Sequence, residues 1–142
     1  MKTSGIYIVF AFFFAFAYVF SFKTHANSNL NDYAKLELIK GSYIDDNVIL
    51  GIKFTLKEGW KIYDNRIQEL GLPTKIKVSG SDDILNYQIY YPAAEKFIEF
   101  AEYTSFGYKD EVIFPLSIKT KANIEVQANI MVEFALCNNI CL

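Results

Sequence analysis

The sequence predicts an all-β domain, a β-sandwich, carried behind an apolar leader. Three observations support this. Apolar and polar residues alternate with period two in several stretches, which is the pattern of half-buried strands. Turn residues recur between those stretches at short intervals, as they do in sandwiches. Only Glu95 to Tyr103 has apolar spacing compatible with a helix, through Phe97, Phe100 and Ala101, and it is too short to change the class.

The elements follow in order. Leu50, Ile52, Phe54 and Leu56 alternate with Gly51, Lys53, Thr55 and Lys57, and Glu58-Gly59 then turns the chain toward Trp60. Lys75 to Ser79 is a shorter strand built on Ile76 and Val78, and Ile84 to Tyr91 is a third, ending at Pro92. Val112, Phe114, Leu116 and Ile118 alternate again. Pro115 lies among them and has no N–H for a ladder, which predicts an edge or a bulge there. Last, Ile124, Val126, Ala128, Ile130, Val132, Phe134 and Leu136 hold every even position, with Glu125, Gln127, Asn129 and Glu133 at odd ones. Leu50, Ile52, Phe54, Val126, Ile130, Val132 and Phe134 are the expected core. About seven short strands are expected, in one domain over residues 27–142.

Composition bounds the function. The 142 residues are 52% hydrophobic and 21% charged, too apolar for disorder. Arg66 is the single arginine, the net charge is −2, and no basic stripe for nucleic acid is formed. One histidine and two cysteines do not build an ordinary zinc site, and no metal or cofactor is expected.

The leader reads as a signal peptide over residues 1–26. Lys2 gives a positive start, Ile6 to Phe22 is uncharged and apolar, and Thr24-His25-Ala26 places small residues three and one positions before a cut ahead of Asn27. The alternative is a retained anchor, although the apolar run is at the short end of what spans a bilayer. In either case the domain lies outside the cytoplasm, in the envelope, and a cleaved segment meets the membrane only during export. Its loss removes His25, so no Ser-His-Asp hydrolase remains.

Most singled-out residues are explained by packing. Trp60 is expected in the core, with a minority reading in which Trp60, Tyr63, Phe106 or Tyr108 shields the cysteines. Asp45-Asp46 and Asp82-Asp83 are expected in solvated turns, and Glu95, Glu99 and Glu102 on one solvated face.

Cys137 and Cys141 are the candidate catalytic residues. Four residues apart in an extended strand is roughly 13 Å, whereas a disulfide needs Cα atoms within about 7 Å, so the segment must turn if the two bond. Asn138-Asn139 suits such a turn, because asparagine tolerates left-handed backbone. Strand parity places Cys137 on the outward face, as the thiol a partner would reach first. The spacing alone leaves open whether the pair works in redox exchange or clips the terminus.

Six stretches also carry a family resemblance: Gly59-Trp60-Lys61-Ile62-Tyr63, Gly71-Leu72-Pro73-Thr74, Tyr91-Pro92-Ala93 with Phe97, Phe106-Gly107-Tyr108, Glu111-Val112-Ile113-Phe114-Pro115-Leu116, and Cys137-Asn138-Asn139-Ile140-Cys141-Leu142. In this order, over Trp60 to Leu142, the chain resembles the periplasmic amino-terminal domain of DsbD-type thiol:disulfide interchange proteins and of the related copper-tolerance protein ScsB. The resemblance implies an immunoglobulin-like antiparallel sandwich in the periplasm. It implies that Cys137 and Cys141 cycle between dithiol and disulfide, relaying reducing equivalents to or from envelope thiol proteins. The chain departs from the pattern in two places. Asn65 is followed by Arg66-Ile67 and not Pro-Gly, and no proline follows Cys141. No membrane or thioredoxin-like domain follows the cysteines in this sequence. The expectation is a stand-alone domain served by a separately encoded membrane reductase, and the alternative is a remnant of a longer gene. The competing expectation is a non-catalytic envelope sandwich that binds or scaffolds another protein and uses the disulfide structurally.

Overall fold

The computed structural model of the protein describes residues 32–121 and 126–142. The expected signal peptide, with its cut between Ala26 and Asn27, lies outside the described residues. So do Ile124 and Glu125 of the last alternating stretch.

Ten strands are present among the described residues: β1 (Ala34–Ile44), β2 (Asn47–Leu56), β3 (Lys61–Tyr63), β4 (Lys75–Gly80), β5 (Ile84–Ile89), β6 (Glu95–Glu99), β7 (Tyr103–Lys109), β8 (Glu111–Thr120), β9 (Ala128–Glu133) and β10 (Leu136–Cys137). They form one four-stranded sheet in the order β1-β2-β8-β5, a second in the order β10-β3-β7-β6, and a two-stranded ribbon of β4 and β9. Every strand pairing is antiparallel. The predicted all-β sandwich is the observed architecture.

Alternation builds the core. β2 buries Ile52, Phe54 and Leu56, and β8 buries Val112, Phe114, Leu116 and Ile118, while the second sheet answers with Ile62, Tyr108 and Leu136. Phe114 sits at the centre, its ring meeting those of Tyr108, Tyr91 and Phe54 edge-on at 5.2, 5.4 and 5.8 Å. Such aromatic pairs add to the energy of burial. Leu50, Ile130, Val132 and Phe134 pack against this cluster as expected, though each is only partly buried. Trp60 also belongs to it, stacked on Tyr33 at 4.3 Å between ring centroids.

Four expectations need correction, the first being the strand number, which is ten among the described residues where about seven were expected. Glu95 to Tyr103 is strand, turn and strand: β6 pairs with β7 from Glu95↔Gly107 to Glu99↔Tyr103, and that neighbouring ladder decides what a short apolar spacing left open. Pro115 is on an interior strand, since β8 lies between β2 and β5. Its carbonyl accepts the Tyr90 N–H at 2.9 Å, just past the end of β5. The proline nitrogen points to the same side, so its missing donor falls where the ladder has already stopped. The last alternating stretch is not one strand. β9 ends at Glu133 and the chain crosses to the second sheet as β10, with Ala135, Leu136 and Cys137 buried in succession.

The acidic pairs are turns, as expected. Asp45 and Asp46, at φ of 48° and 63°, close the β1–β2 hairpin, with two left-handed residues suited to the twist of the flanking strands. Asp82 and Asp83 turn the chain into β5.

Candidate functional site

The two cysteines are joined. Cys137 and Cys141 form a disulfide with S–S 2.00 Å and Cα atoms 4.1 Å apart. The turn that this requires is a tight terminal hairpin. Leu136 and Leu142 exchange backbone hydrogen bonds at 3.3 and 2.9 Å, and the Asn138 N–H donates to the Ile140 carbonyl at 2.9 Å. Asn138 and Asn139 lie in the bend, as the sequence suggested. A second turn supports it, closed by the Trp60 N–H on the Lys57 carbonyl at 2.9 Å. Gly59 in that turn has φ of 80°, and a Cβ there would lie 3.4 Å from the Asn138 side-chain amide.

Register sets the surroundings of the disulfide. Leu136 pairs with Ile62 and Cys137 with Lys61; across β3, Lys61 pairs with Lys109 and Tyr63 with Gly107; across β7, Gly107 pairs with Glu95 and Ser105 with Phe97. Residues paired across strands share a face. Leu136, Ile62 and Tyr108 therefore face the core, while Cys137, Lys61, Tyr63, Ser105, Phe97 and Glu99 share the opposite face of the second sheet.

Parity was right about the side and wrong about access. Cys137 turns away from the main core, yet only 1% of it is exposed, because it packs with Tyr63 and Ala135 in a separate buried cluster. Cys141 is exposed, between the exposed side chains of Ile140 and Leu142. The expectation that Cys137 is the more reachable thiol is overturned: a second layer covers it.

That layer is Tyr63 and the loop behind it. Thr74 Oγ1 donates to the Tyr63 carbonyl at 2.5 Å, and the Thr74 N–H donates to the Asp64 carbonyl at 3.1 Å. The Tyr63 hydroxyl donates to the Glu99 carboxylate at 3.2 and 3.3 Å, and burial, then the charge on Glu99, pushes its pKa up to about 12. Of the four aromatics considered as shields, only Tyr63 packs with a cysteine in a buried cluster. Trp60 and Tyr108 are core residues, and Phe106 lies under the Arg66 guanidinium at 4.0 Å.

Glu99 is the residue that sequence reasoning misplaced. Glu95 and Glu102 are exposed, but Glu99 is 9% exposed. It pairs with Lys61 Nζ at 2.9 Å and accepts a hydrogen bond from the Ser105 hydroxyl. Burial alone pushes its carboxyl up; the bonds from Ser105 and Lys61 outweigh that and hold it below the usual range. A period-two reading of Glu95 to Glu99 puts Glu95, Phe97 and Glu99 on one face. Nothing in the sequence says that Lys61 and Tyr63 lie across the sheet from them.

An immunoglobulin-like sandwich whose last strand carries a disulfide hairpin on its outer face is the class that fold and site define. Residues 34–142 match the family described as thiol:disulfide interchange protein DsbD, N-terminal, and the chain belongs to that family. Among solved structures it is similar to the N-terminal periplasmic domain of ScsB from Proteus mirabilis, at 25% identity and a TM-score of 0.61. The match covers 79% of this chain and 43% of that one, so this chain spans less than half of the relative's length. A comparison with curated proteins finds none that matches.

Proposed function

We propose that the protein is a periplasmic thiol–disulfide exchange module that relays reducing equivalents to or from envelope thiol proteins through Cys137 and Cys141. The observation that carries this is the asymmetry of the pair: one sulfur-bearing residue is open to a partner and the other is buried beside a polar network. Exchange needs an accessible sulfur to be attacked and a leaving thiolate to be accommodated. A partner thiolate attacks Cys141 Sγ, the Cys137–Cys141 bond breaks, and its electron pair leaves on Cys137 Sγ. A second partner thiol resolves the mixed disulfide, so a dithiol on the partner becomes a disulfide and the domain becomes a dithiol. In the opposite direction the Cys141 thiolate attacks a partner disulfide, and Cys137 then attacks Cys141 to release the reduced partner. Reductant is supplied by a separately encoded membrane reductase, after export with a cut that leaves Asn27 first.

Trapping tests the reading. Cys137→Ser, expressed in the native envelope and quenched with acid, should accumulate a reductant-sensitive adduct at Cys141, because the resolving thiol is gone. Cys141→Ser leaves only the buried cysteine and should trap far less. The pair's reduction potential should lie above the roughly −300 mV ceiling of structural disulfides. No adduct from either variant, with a potential below that ceiling, would make this a scaffold domain with a structural disulfide, and changing both cysteines to Ser would then leave its function intact. Mass spectrometry of the exported chain should find Asn27 at the start, and an intact Met1 in the membrane fraction would replace cleavage with anchoring.

A further inference from the structure

Exchange at this site creates a thiolate on Cys137, in a place that water does not reach. The sulfur's residue is 1% exposed, and its burial cluster holds Tyr63 and Ala135. A buried thiolate without a charge partner is costly, and buried thiols resist ionisation for that reason. Directly across the β10–β3 pair from Cys137 stands Lys61. Side chains opposed in this way have Cβ atoms roughly 5 Å apart. The Lys61 side chain is 17% exposed, its ammonium held at 2.9 Å from Glu99 and lying 5.1 Å from the centroid of the Phe97 ring.

We infer that Lys61 is the charge partner of the Cys137 thiolate in the dithiol form, and that Glu99, Tyr63 and Ser105 hold the lysine in readiness while the disulfide is closed. This rests on the exchange reading above. The number of donors on Glu99 supports it. In the disulfide form the carboxylate takes bonds from three groups: Lys61, the Tyr63 hydroxyl and the Ser105 hydroxyl. When the thiolate forms, Lys61 turns part of its charge to sulfur, and the two neutral donors keep the carboxylate satisfied. Tyr63, with its pKa pushed up to about 12, stays protonated and continues to donate. The remaining charged groups on this face do not compete, since Lys109 from β7 is paired with Glu95 from β6 at 3.0 Å. Lys61 thus acts on the reacting sulfur, and Glu99, Tyr63 and Ser105 are positioning residues.

The test is a thiolate titration by ultraviolet absorbance on the reduced full chain carrying Cys141→Ser, so that Cys137 alone reports. Lys61→Met should raise the Cys137 midpoint by about 1 pH unit or more, the size of shift that an adjacent charge produces. Lys61→Arg should restore it. Glu99→Gln should move it the opposite way, downward, by removing a like charge and releasing the lysine. In the chain with both cysteines, Lys61→Met should also slow reduction by dithiothreitol near neutral pH, because a less acidic thiol leaves more slowly. A midpoint unmoved in folded Lys61→Met, or moved equally by Arg and Met, overturns the inference. A structural role alone would lower the melting temperature and leave the titration where it was. The titration needs no partner protein. A shifted midpoint without any trapped adduct would sink the exchange function and leave Lys61 standing, whereas adducts with an unmoved midpoint would do the reverse.

Discussion

Gly71 lies against the ring of Tyr63 with φ of 78°, so closely that a Cβ on the glycine would collide with the ring's edge. The β3–β4 loop can therefore cover Tyr63 only with glycine at this position, and Tyr63 in turn covers Cys137. Gly71→Ala should destabilise the domain by about 2 kcal/mol or more, combining left-handed backbone strain with displacement of a buried ring. Denaturant unfolding measures this. The same variant should alkylate faster at Cys137 after reduction, because its cover is displaced.

The core prediction concerns Phe114, which is fully buried among three aromatic rings. Phe114→Ala should cost roughly 3–5 kcal/mol, through lost transfer energy and the cavity left behind. Its neighbour Ile113 points outward at 39% exposure, and Ile113→Ala should cost less than about 1 kcal/mol. Comparable losses from the two would show that β8 faces the wrong way.

Glu99 gives the fold a pH dependence whose sign is set. Its folded pKa lies below the reference value of 4.5, so its contribution is complete above that value and is lost as pH falls through the lower folded one. Glu99→Gln should therefore be most destabilised relative to wild type near neutrality. The gap should narrow as the pH drops below 4.5. Urea titrations across that range would detect it, and a gap that widens in acid would contradict the lowered pKa.

The β6–β7 turn stores strain. Phe100 and Ala101 have φ of 53° and 60°, a left-handed pair without the asparagine or glycine such turns favour. Phe100 is also 75% exposed, so burial does not repay the conformation. Replacing the pair with Asn-Gly should stabilise the domain by about 1 kcal/mol, read as a higher denaturant midpoint at unchanged slope.

Much of this domain was legible in the chain because period-two alternation is local. β2 and β8 were evident from Leu50 to Leu56 and from Val112 to Ile118; Ile52 and Phe54 are buried as expected, and the even residues of β8 complete that wall of the core. β3 and β10 were not legible: strands of 3 and 2 residues hold too few positions to show a period. β1 was missed for another reason. As an edge strand it exposes Leu36, Leu38 and Ile39 as well as its charges, so no face is cleanly apolar.

The site divides in the same way. The sequence by itself determined the chemistry on offer: two cysteines four positions apart, a turn of asparagines between them, and a strand parity that sends Cys137 away from the main core. Tertiary structure decided which sulfur-bearing residue a partner meets and what surrounds the other. Alternation tells which side of a sheet a residue occupies but carries no information about what is laid over that side. Cys137 is buried because Tyr63 and the loop carrying Gly71 and Thr74 return to cover it. Glu99 is withdrawn from water because β7 brings β6 near β3, setting its carboxylate against Lys61, a residue far away in the sequence.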